Sequence, residues 1–521
     1  MTHVRPGIAV IEQGTAAAPA DGMIPAQMVN AADYLLAVGA RDKVALVDGA
    51  RRITYGELHE GAALVAGALD ALALAPGSRV ALVGPNSAFW VAAYLATMKL
   101  GLVAVPLPDK LPPEELARYA DWVDCAAVLL DRRVRRRYAD AVPGVPVLDD
   151  GLLDQDGPRA WPEARPTDPD ADAVLMFTSG TTSRPKAVRV THRNIQANTD
   201  SIISYLALRQ EDRILVVLPF FYCFGASLLH THLRVGARLV LCGSFAFPET
   251  AIDQLAREEC TEFAGVPSSM QLLLRASSFA KRSLPSLRLV QQAGGRLQPV
   301  LVQELLAAQP QAELFVMYGQ TEATARLSFL PPDQLLTRPG SIGRGIPGVE
   351  LRVVDDQSAP VAPGEIGEIV ARGANISPGY HRDPEATALR FSHGELRTGD
   401  LATVDDEGYV YVVDRKEDFI KSWGYRVSSQ EVEACALRLK DLVSAAAVGI
   451  DDLQAGEAIH LFVTVRPGAS VTSEDVLAVT RAHLPKHMVP QAVHVLDAMP
   501  STANGKISKS RLRELGRPDE G

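Results

Sequence analysis

The sequence lacks the marks of several protein classes. Its five cysteines, Cys125, Cys223, Cys242, Cys260 and Cys435, are scattered and form no C-x-x-C pair. That argues against a disulfide framework or a structural zinc site and fits a reducing compartment. No apolar run reaches the roughly 20 residues that a membrane-crossing helix needs, so no membrane span is expected. The opening stretch "MTHVRPGIAVIEQGTAAAPADG" has no long apolar core of a signal peptide, and the cytosol is the expected compartment. Positive charge is not in excess either: the formal net charge is -10. A nucleic-acid binder is usually basic or carries a strong basic face, so no nucleic-acid partner is expected. The one dense basic run, Arg132 to Arg137, reads as a solvated helix face, with docking of an acidic partner or a phosphate tail as the alternative. Internal repeats are absent.

What is present is a long, ordinary globular chain. Its 521 residues exceed what one core organises and call for two or more domains. With 47% hydrophobic and 22% charged residues the composition is that of a folded, water-exposed protein. "ITYGEL" opens a helix, with Thr54 and Glu57 at capping-box spacing. The segment from Arg79 to Leu107 reads as a strand over Val80–Val83, a helix over Ser87–Met98 and a strand over Val103–Leu107, a parallel unit with a crossover helix. The pattern recurs near Ala126–Leu130 and Ile214–Leu218, so the fold class is α/β with helices covering parallel-rich sheets. Past "VVDRKEDFIKSWGYR" it changes. Strands over Ala445–Ile450 and His460–Val465 and a helix over Ser473–His483 are enough for a small separate domain.

The stretch "FTSGTTSRPKAVRVTH", Phe177 to His192, raises the question of chemistry. Gly180 to Lys186 has the spacing of a Walker phosphate loop. Pro185, however, stands where the second glycine belongs and has no N–H to offer phosphate, and Ala187 replaces the hydroxyl that holds magnesium. What remains is a hydroxyl- and glycine-rich loop with one lysine, able to close over a polyphosphate.

Five stretches then occur in order: Thr178-Ser179-Gly180-Thr181-Thr182-x-x-Pro185-Lys186, "MYGQTEAT", "RTGDL", "DRKEDFIKSWGYR" and "NGKISK". Together they resemble the adenylate-forming superfamily of acyl-CoA synthetases, peptide-synthetase adenylation domains and luciferases. The likeness runs from "TYGEL" to "GKISK". It implies a large N-terminal adenylation domain, 1–416, and a small mobile α+β C-terminal domain, 417–521, that swings about a hinge at Glu417. The family usually has Asp or Lys at that hinge. The implied reaction is attack of a carboxylate on ATP, giving an acyl-AMP and pyrophosphate, then transfer to a thiol of coenzyme A or of a phosphopantetheinyl carrier protein.

The resemblance also implies roles. Thr178, Ser179, Gly180, Thr181, Thr182 and Lys186 would clamp the outgoing β- and γ-phosphates. Glu322 would hold Mg2+, a hard cation suited to a carboxylate. Thr321 would contact the α-phosphate, and Tyr318, with Gly319 and Gln320 beside it, would stack on adenine while Gly294 and Gly295 let the backbone approach. Asp400 would accept from the ribose hydroxyls, and Arg415 would reach phosphate. Lys506 would enter the site from the small domain and bridge the acyl carboxylate and the α-phosphate. Trp423 and Gly424 would line the thiol tunnel after the swing, Trp423 being bulkier than the small residue usual there.

The acyl pocket is assigned to Phe220, Phe221, Tyr222 and Phe224 of "LPFFYCFGAS", with Gly265, Ser269 and Met317; ordinary core packing is the competing reading of the aromatics. Tyr222 stands where the family often has histidine. Amino-acid-activating relatives place an aspartate after the phenylalanine to pair the α-ammonium, whereas here Gly225 follows Phe224. An unpaired buried ammonium is costly, so a fatty or aryl acid is favoured. Luciferase-like oxidation, nitrite activation, loading of an amino-acid analogue and a non-catalytic module remain as alternatives.

Overall fold

The structure is a computed structural model. It describes residues 29–138, 140–157, 160–163, 167–178, 186–243, 245, 247–415, 419–452, 454–466, 468–502 and 505–517.

Two parallel-rich sheets form the bulk. The first has six strands in the order 147–149, 125–130, 79–83, 103–107, 172–178 and 186–191, all parallel except the last pair, which is an antiparallel hairpin. The second has nine strands. Its middle, Glu313–Tyr318, Leu289–Gln292, Glu262–Gly265, Arg213–Val216, Arg238–Leu241 and Val44–Asp48, is parallel, and its two ends are antiparallel.

The helices Ala88–Lys99 and Cys223–Arg234 explain how the sheets join. Every residue of each is buried. "AFWVAAYLATMK" is apolar all round, and a helix with no polar face belongs inside a core. It shares one apolar cluster with strand residues of both sheets, including Leu46, Leu82, Ala104 and Val216. Burial of each large apolar side chain there contributes roughly 1.5–3 kcal/mol. The expected strand, helix and strand are found at Arg79–Val83, Ala88–Lys99 with Ser87 as N-cap, and Val103–Leu107. Thr54 and Glu57 form the full capping box.

A five-stranded antiparallel sheet follows, built on Val349–Val354, Gly367–Gly373 and Glu395–Val404, with Val410–Arg415 along the last of these. The C-terminal strands make their own sheet. Leu442–Asp452 and Gly456–Val465 form its long antiparallel centre, extending both expected strands, and the helix Ser473–His483 lies where the sequence placed it.

The basic run forms the helix Arg132–Tyr138. Arg132 pairs with Asp149, Asp150 and Asp154, Arg133 with Asp131, and Arg135 with Asp149. Much of its charge is therefore met within the chain. Among the described residues, no helix is long and apolar enough to cross a membrane.

Candidate active site

The site gathers where the large sheets end and the C-terminal sheet approaches them. Lys506 follows a tight turn: Ser501 and Ile507 bridge, Thr502 N–H donates to the Lys506 carbonyl at 2.7 Å, and Gly505 has φ +78°. That backbone favours glycine, which explains the Gly-Lys pair. Ser268 Oγ donates to the Gly505 carbonyl at 2.7 Å and ties the turn to the helix Pro267–Ala276. Lys506 Nζ lies 5.4 Å from the centre of the Tyr222 ring. Desolvation of its ammonium is the largest influence and holds its pKa below the usual lysine value; Arg415 pushes the same way, while Cys223, Asp400 and Glu322 oppose.

Gly294, at φ +87°, lies beneath this lysine. A Cβ there would meet the Tyr222 hydroxyl at 2.8 Å and Lys506 Cε at 3.4 Å. At Gly295 it would meet the Pro267 ring at 3.2 Å. Gly319 admits no side chain, because a Cβ would fall 1.9 Å from the Ala325 carbonyl. The chain doubles back there, and Thr324 takes φ +66° to close the turn. Strain of this kind in a polar residue is common beside functional groups.

That turn presents Thr321 and Glu322. Thr321 Oγ1 lies 3.5 Å from Cys223 Sγ. Buried Glu322 accepts from the Tyr380 hydroxyl at 2.8 Å. Tyr380 bridges Val188, next to the base of the hydroxyl-rich hairpin, and Lys186 Nζ lies 5.2 Å from its ring centre. Thr178 and Lys186 are paired across that hairpin. Ser179, Gly180, Thr181 and Thr182 lie outside the described residues, as does Glu417. Among the described residues the buried Gln320 side-chain nitrogen has no partner.

Asp400 is 3% exposed and sits opposite Arg415 in the antiparallel register. Its carboxylate accepts from Arg415 Nε at 3.0 Å and from the Tyr318 hydroxyl. Burial, then the neighbouring Asp400 charge, raises the Tyr318 phenol well above its ordinary range. The structure thus brings Lys506, Tyr222, Gly294, Tyr318, Asp400 and Arg415 to one place, and Lys186, Glu322 and Thr321 to its edge.

The aromatic run divides. Tyr222 and Phe224 meet edge to face, 6.4 Å apart. Phe220 is wholly buried against Trp90, and Phe221 is buried in the same cluster. A Cβ on Gly225 would fall 2.0 Å from the Pro219 carbonyl, so no aspartate fits after Phe224. Met317 Sδ accepts from the Tyr205 hydroxyl at 2.9 Å. Ser269 packs under Gly265, 2.8 Å from where its Cβ would be. Trp423 and Gly424 form the two-residue turn between strands Ile420–Ser422 and Tyr425–Val427, both with positive φ, and Trp423 is 52% exposed. Such a turn matches the strand twist, and glycine suits its second position.

Three neighbours escaped sequence reasoning: Cys223, Tyr380 and Arg326. Tyr380 is 58 residues from Glu322 and no spacing rule joins them. Arg326, a charged residue four positions after Glu322 in an otherwise small and apolar run, was the one legible signal.

The chain is similar to known proteins along most of its length. Residues 36–381 match the AMP-binding enzyme family, and residues 431–506 match its C-terminal domain. A 2-succinylbenzoate–CoA ligase of Bacillus velezensis is 32% identical over 91% of this chain and 95% of its own length. An oxalate–CoA ligase of Arabidopsis thaliana is 31% identical over 89% and 93%. The solved structure of ATP-bound MatB from Rhodopseudomonas palustris superposes with a TM-score of 0.84 at 27% identity, covering 94% of this chain and 98% of that one. An o-succinylbenzoate coenzyme A synthetase of Bacillus subtilis, solved with ATP and magnesium ion, gives 0.81 at 28%, covering 93% and 99%. The chain therefore belongs to the AMP-binding enzyme family, the adenylate-forming enzymes.

Proposed function

We propose that this chain activates a carboxylic acid with ATP and passes the acyl group to the thiol of coenzyme A. The observation that carries the reading is the seat of Lys506, on a turn of the C-terminal part, against Tyr222 and Gly294 and within electrostatic reach of Asp400 and Glu322.

A carboxylate is a poor acyl donor because its leaving group would be oxide. Its oxygen attacks the α-phosphorus of ATP, the bond to the β-phosphate oxygen breaks, and pyrophosphate departs. The thiolate sulfur then attacks the acyl carbon and AMP leaves with the electron pair. Both reactants of the first step are anions, so the residues must hold them together and offset gathering charge. Lys506 is assigned to bridge the two, its compact ammonium reaching both from a flexible stem. Asp400 takes the ribose hydroxyls, Tyr318 the adenine and Arg415 a phosphate. Thr321 takes the α-phosphate, and Lys186 with Thr178, Ser179, Gly180, Thr181 and Thr182 takes the outgoing pyrophosphate.

Magnesium fits the donor set. Among the described residues no group of three or more metal-binding side chains exists, and Mg2+ is commonly held by one or two carboxylates plus phosphate and water. Buried Glu322, positioned by Tyr380, is the one assigned here. The bound ion would screen phosphate charge.

Tyr222, Phe224, Met317, Gly265 and Ser269 are assigned to the acyl wall, with Phe220 and Phe221 supporting it from the core. A fatty or aryl acid is favoured over an α-amino acid, because position 225 has no room for an aspartate. The ligases of 2-succinylbenzoate and oxalate among the relatives support acid activation and coenzyme A transfer. We place the domain boundary at 416/417 with Glu417 as hinge, and Trp423 and Gly424 on the thiol path after rotation. A phosphopantetheinyl carrier protein offers the same thiol arm and is the second acceptor to test.

Purified protein with ATP, Mg2+ and a panel of acids should release pyrophosphate, and mass spectrometry should find acyl-CoA only when coenzyme A is added. Pyrophosphate release unchanged in Lys506→Ala, or absent with every acid, refutes the reading.

A further inference from the structure

We propose that Arg326 holds a second anionic group at the far end of the acyl chain, so that the preferred substrates are dicarboxylic acids or acids with an equivalent distal anion. The inference rests on the ligase reading above and on the assignment of Tyr222, Phe224 and Met317 to the acyl wall.

Arg326 is 1% exposed and heads the largest fully buried side chains. Among the described residues its Nη2 has no hydrogen-bond partner and its guanidinium forms no ion pair with a carboxylate. Its Nε meets Met317 Sδ at 3.5 Å, a weak acceptor, and the Tyr205 hydroxyl, which donates to the same sulfur, stands against the guanidinium as a neutral partner without a counter-charge. The guanidinium lies over the Phe224 ring, 3.9 Å from its centre. That stacking satisfies one face of the cation and leaves Nη2 unmet. A buried charge without a counter-charge costs more than a single stack returns.

The fold gives Arg326 no escape. Its carbonyl accepts from Asn198 and Asn375 side chains, at 3.2 and 2.9 Å. The backbone is therefore pinned, and the side chain is held against pocket residues. A guanidinium edge presents a planar fork that matches a carboxylate. The reacting carboxylate is accounted for by Lys506. That lysine lies over Tyr222 and Arg326 over Phe224, and these two rings stand edge to face. Two cations are thus held apart by two aromatic rings. The acid that satisfies both carries its charges at either end of a short chain or one aryl ring. A monocarboxylic acid would leave Arg326 unpaired.

The test uses the full chain with ATP, Mg2+ and matched pairs: glutarate against pentanoate, adipate against hexanoate, terephthalate against 4-methylbenzoate. Initial rates of pyrophosphate release give kcat/KM. For the best-accepted pair, the diacid should be favoured by roughly 10- to 100-fold, the range for a hydrogen bond to a charged group. Arg326→Met should bring the ratio near one, mainly by raising activity on the monoacid relative to the diacid, and Arg326→Lys should keep part of it. If the Met variant fails to fold, a binding measurement on the unaltered chain decides: the diacid should raise the thermal midpoint without ATP and the monoacid should not. Monoacids used as well as diacids, with equal thermal shifts, overturn the assignment of Arg326 and leave the ligase reading intact. No pyrophosphate from either set overturns the ligase reading and this inference with it.

Discussion

Arg275 offers a way to separate the two half-reactions. It lies on the helix Pro267–Ala276 with its side chain 1% exposed. Nη1 donates to the carbonyls of Leu439, Lys440 (3.1 Å) and Leu442 in the C-terminal part, and Nη2 pairs with Glu304 at 2.9 Å. The same helix holds the Lys506 turn through Ser268. One guanidinium thus gathers three carbonyls of the C-terminal part, of which Leu439 also accepts from the Leu442 N–H, in the arrangement that brings Lys506 to the site. Arg275→Ala removes a buried charge-assisted cluster, which costs the docked arrangement about 2–4 kcal/mol. That is a shift of roughly 30- to 1000-fold in the docking equilibrium. ATP–pyrophosphate exchange, which needs Lys506 in place, should fall by that factor where the docked state holds no surplus, and by at least about tenfold. Thioester formation from chemically made acyl-AMP and coenzyme A should change by less than about threefold, because it draws on the other domain arrangement. An equal fall in both steps, or exchange at the parent rate, refutes the reasoning.

Desolvation depresses the Lys506 pKa, so its proton leaves at a lower pH than from free lysine and adenylation should decline on the alkaline side. Lys506→Arg, charged throughout, should move that decline to higher pH in an exchange-rate profile whatever its maximum. Gly225→Ala places a Cβ 2.0 Å from a backbone carbonyl that cannot yield; urea denaturation should show a loss of about 3 kcal/mol. Tyr380→Phe removes the donor to Glu322. The magnesium concentration for half-maximal rate should change by roughly tenfold while the KM for the acid stays constant, as magnesium titration will show. Trp423→Gly relieves a left-handed backbone in an exposed residue and should stabilise the C-terminal part by about 1 kcal/mol in the same denaturation assay, with the exchange rate unchanged.

These cases show which physics a linear sequence carries. The helix Ala88–Lys99 was legible because its lack of a polar face is local information, and the capping box at Thr54 and Glu57 because both partners lie within one turn. The glycines of the site were legible as kinds of residue, but their reasons were not. Gly294 answers to Tyr222 and Val266, Gly319 to Ala325, and Gly225 to Pro219, each a clash that exists only once the chain has folded. The arginine helix reads from sequence as a solvated face, but the acids that meet its charges, Asp149, Asp150 and Asp154, lie too far along the chain for any helical spacing to show them. Arg326 stood in plain view beside the "YGQTE" run, yet its charge means little until its burial is known. On a surface it would be unremarked; against Phe224, with Nη2 unmet and no counter-charge beside it, it becomes a demand that the substrate must satisfy. Sequence motifs locate the shared chemistry of ATP because that chemistry repeats among relatives. The acid is chosen by residues between the motifs, whose meaning is set by depth and by partners far along the chain.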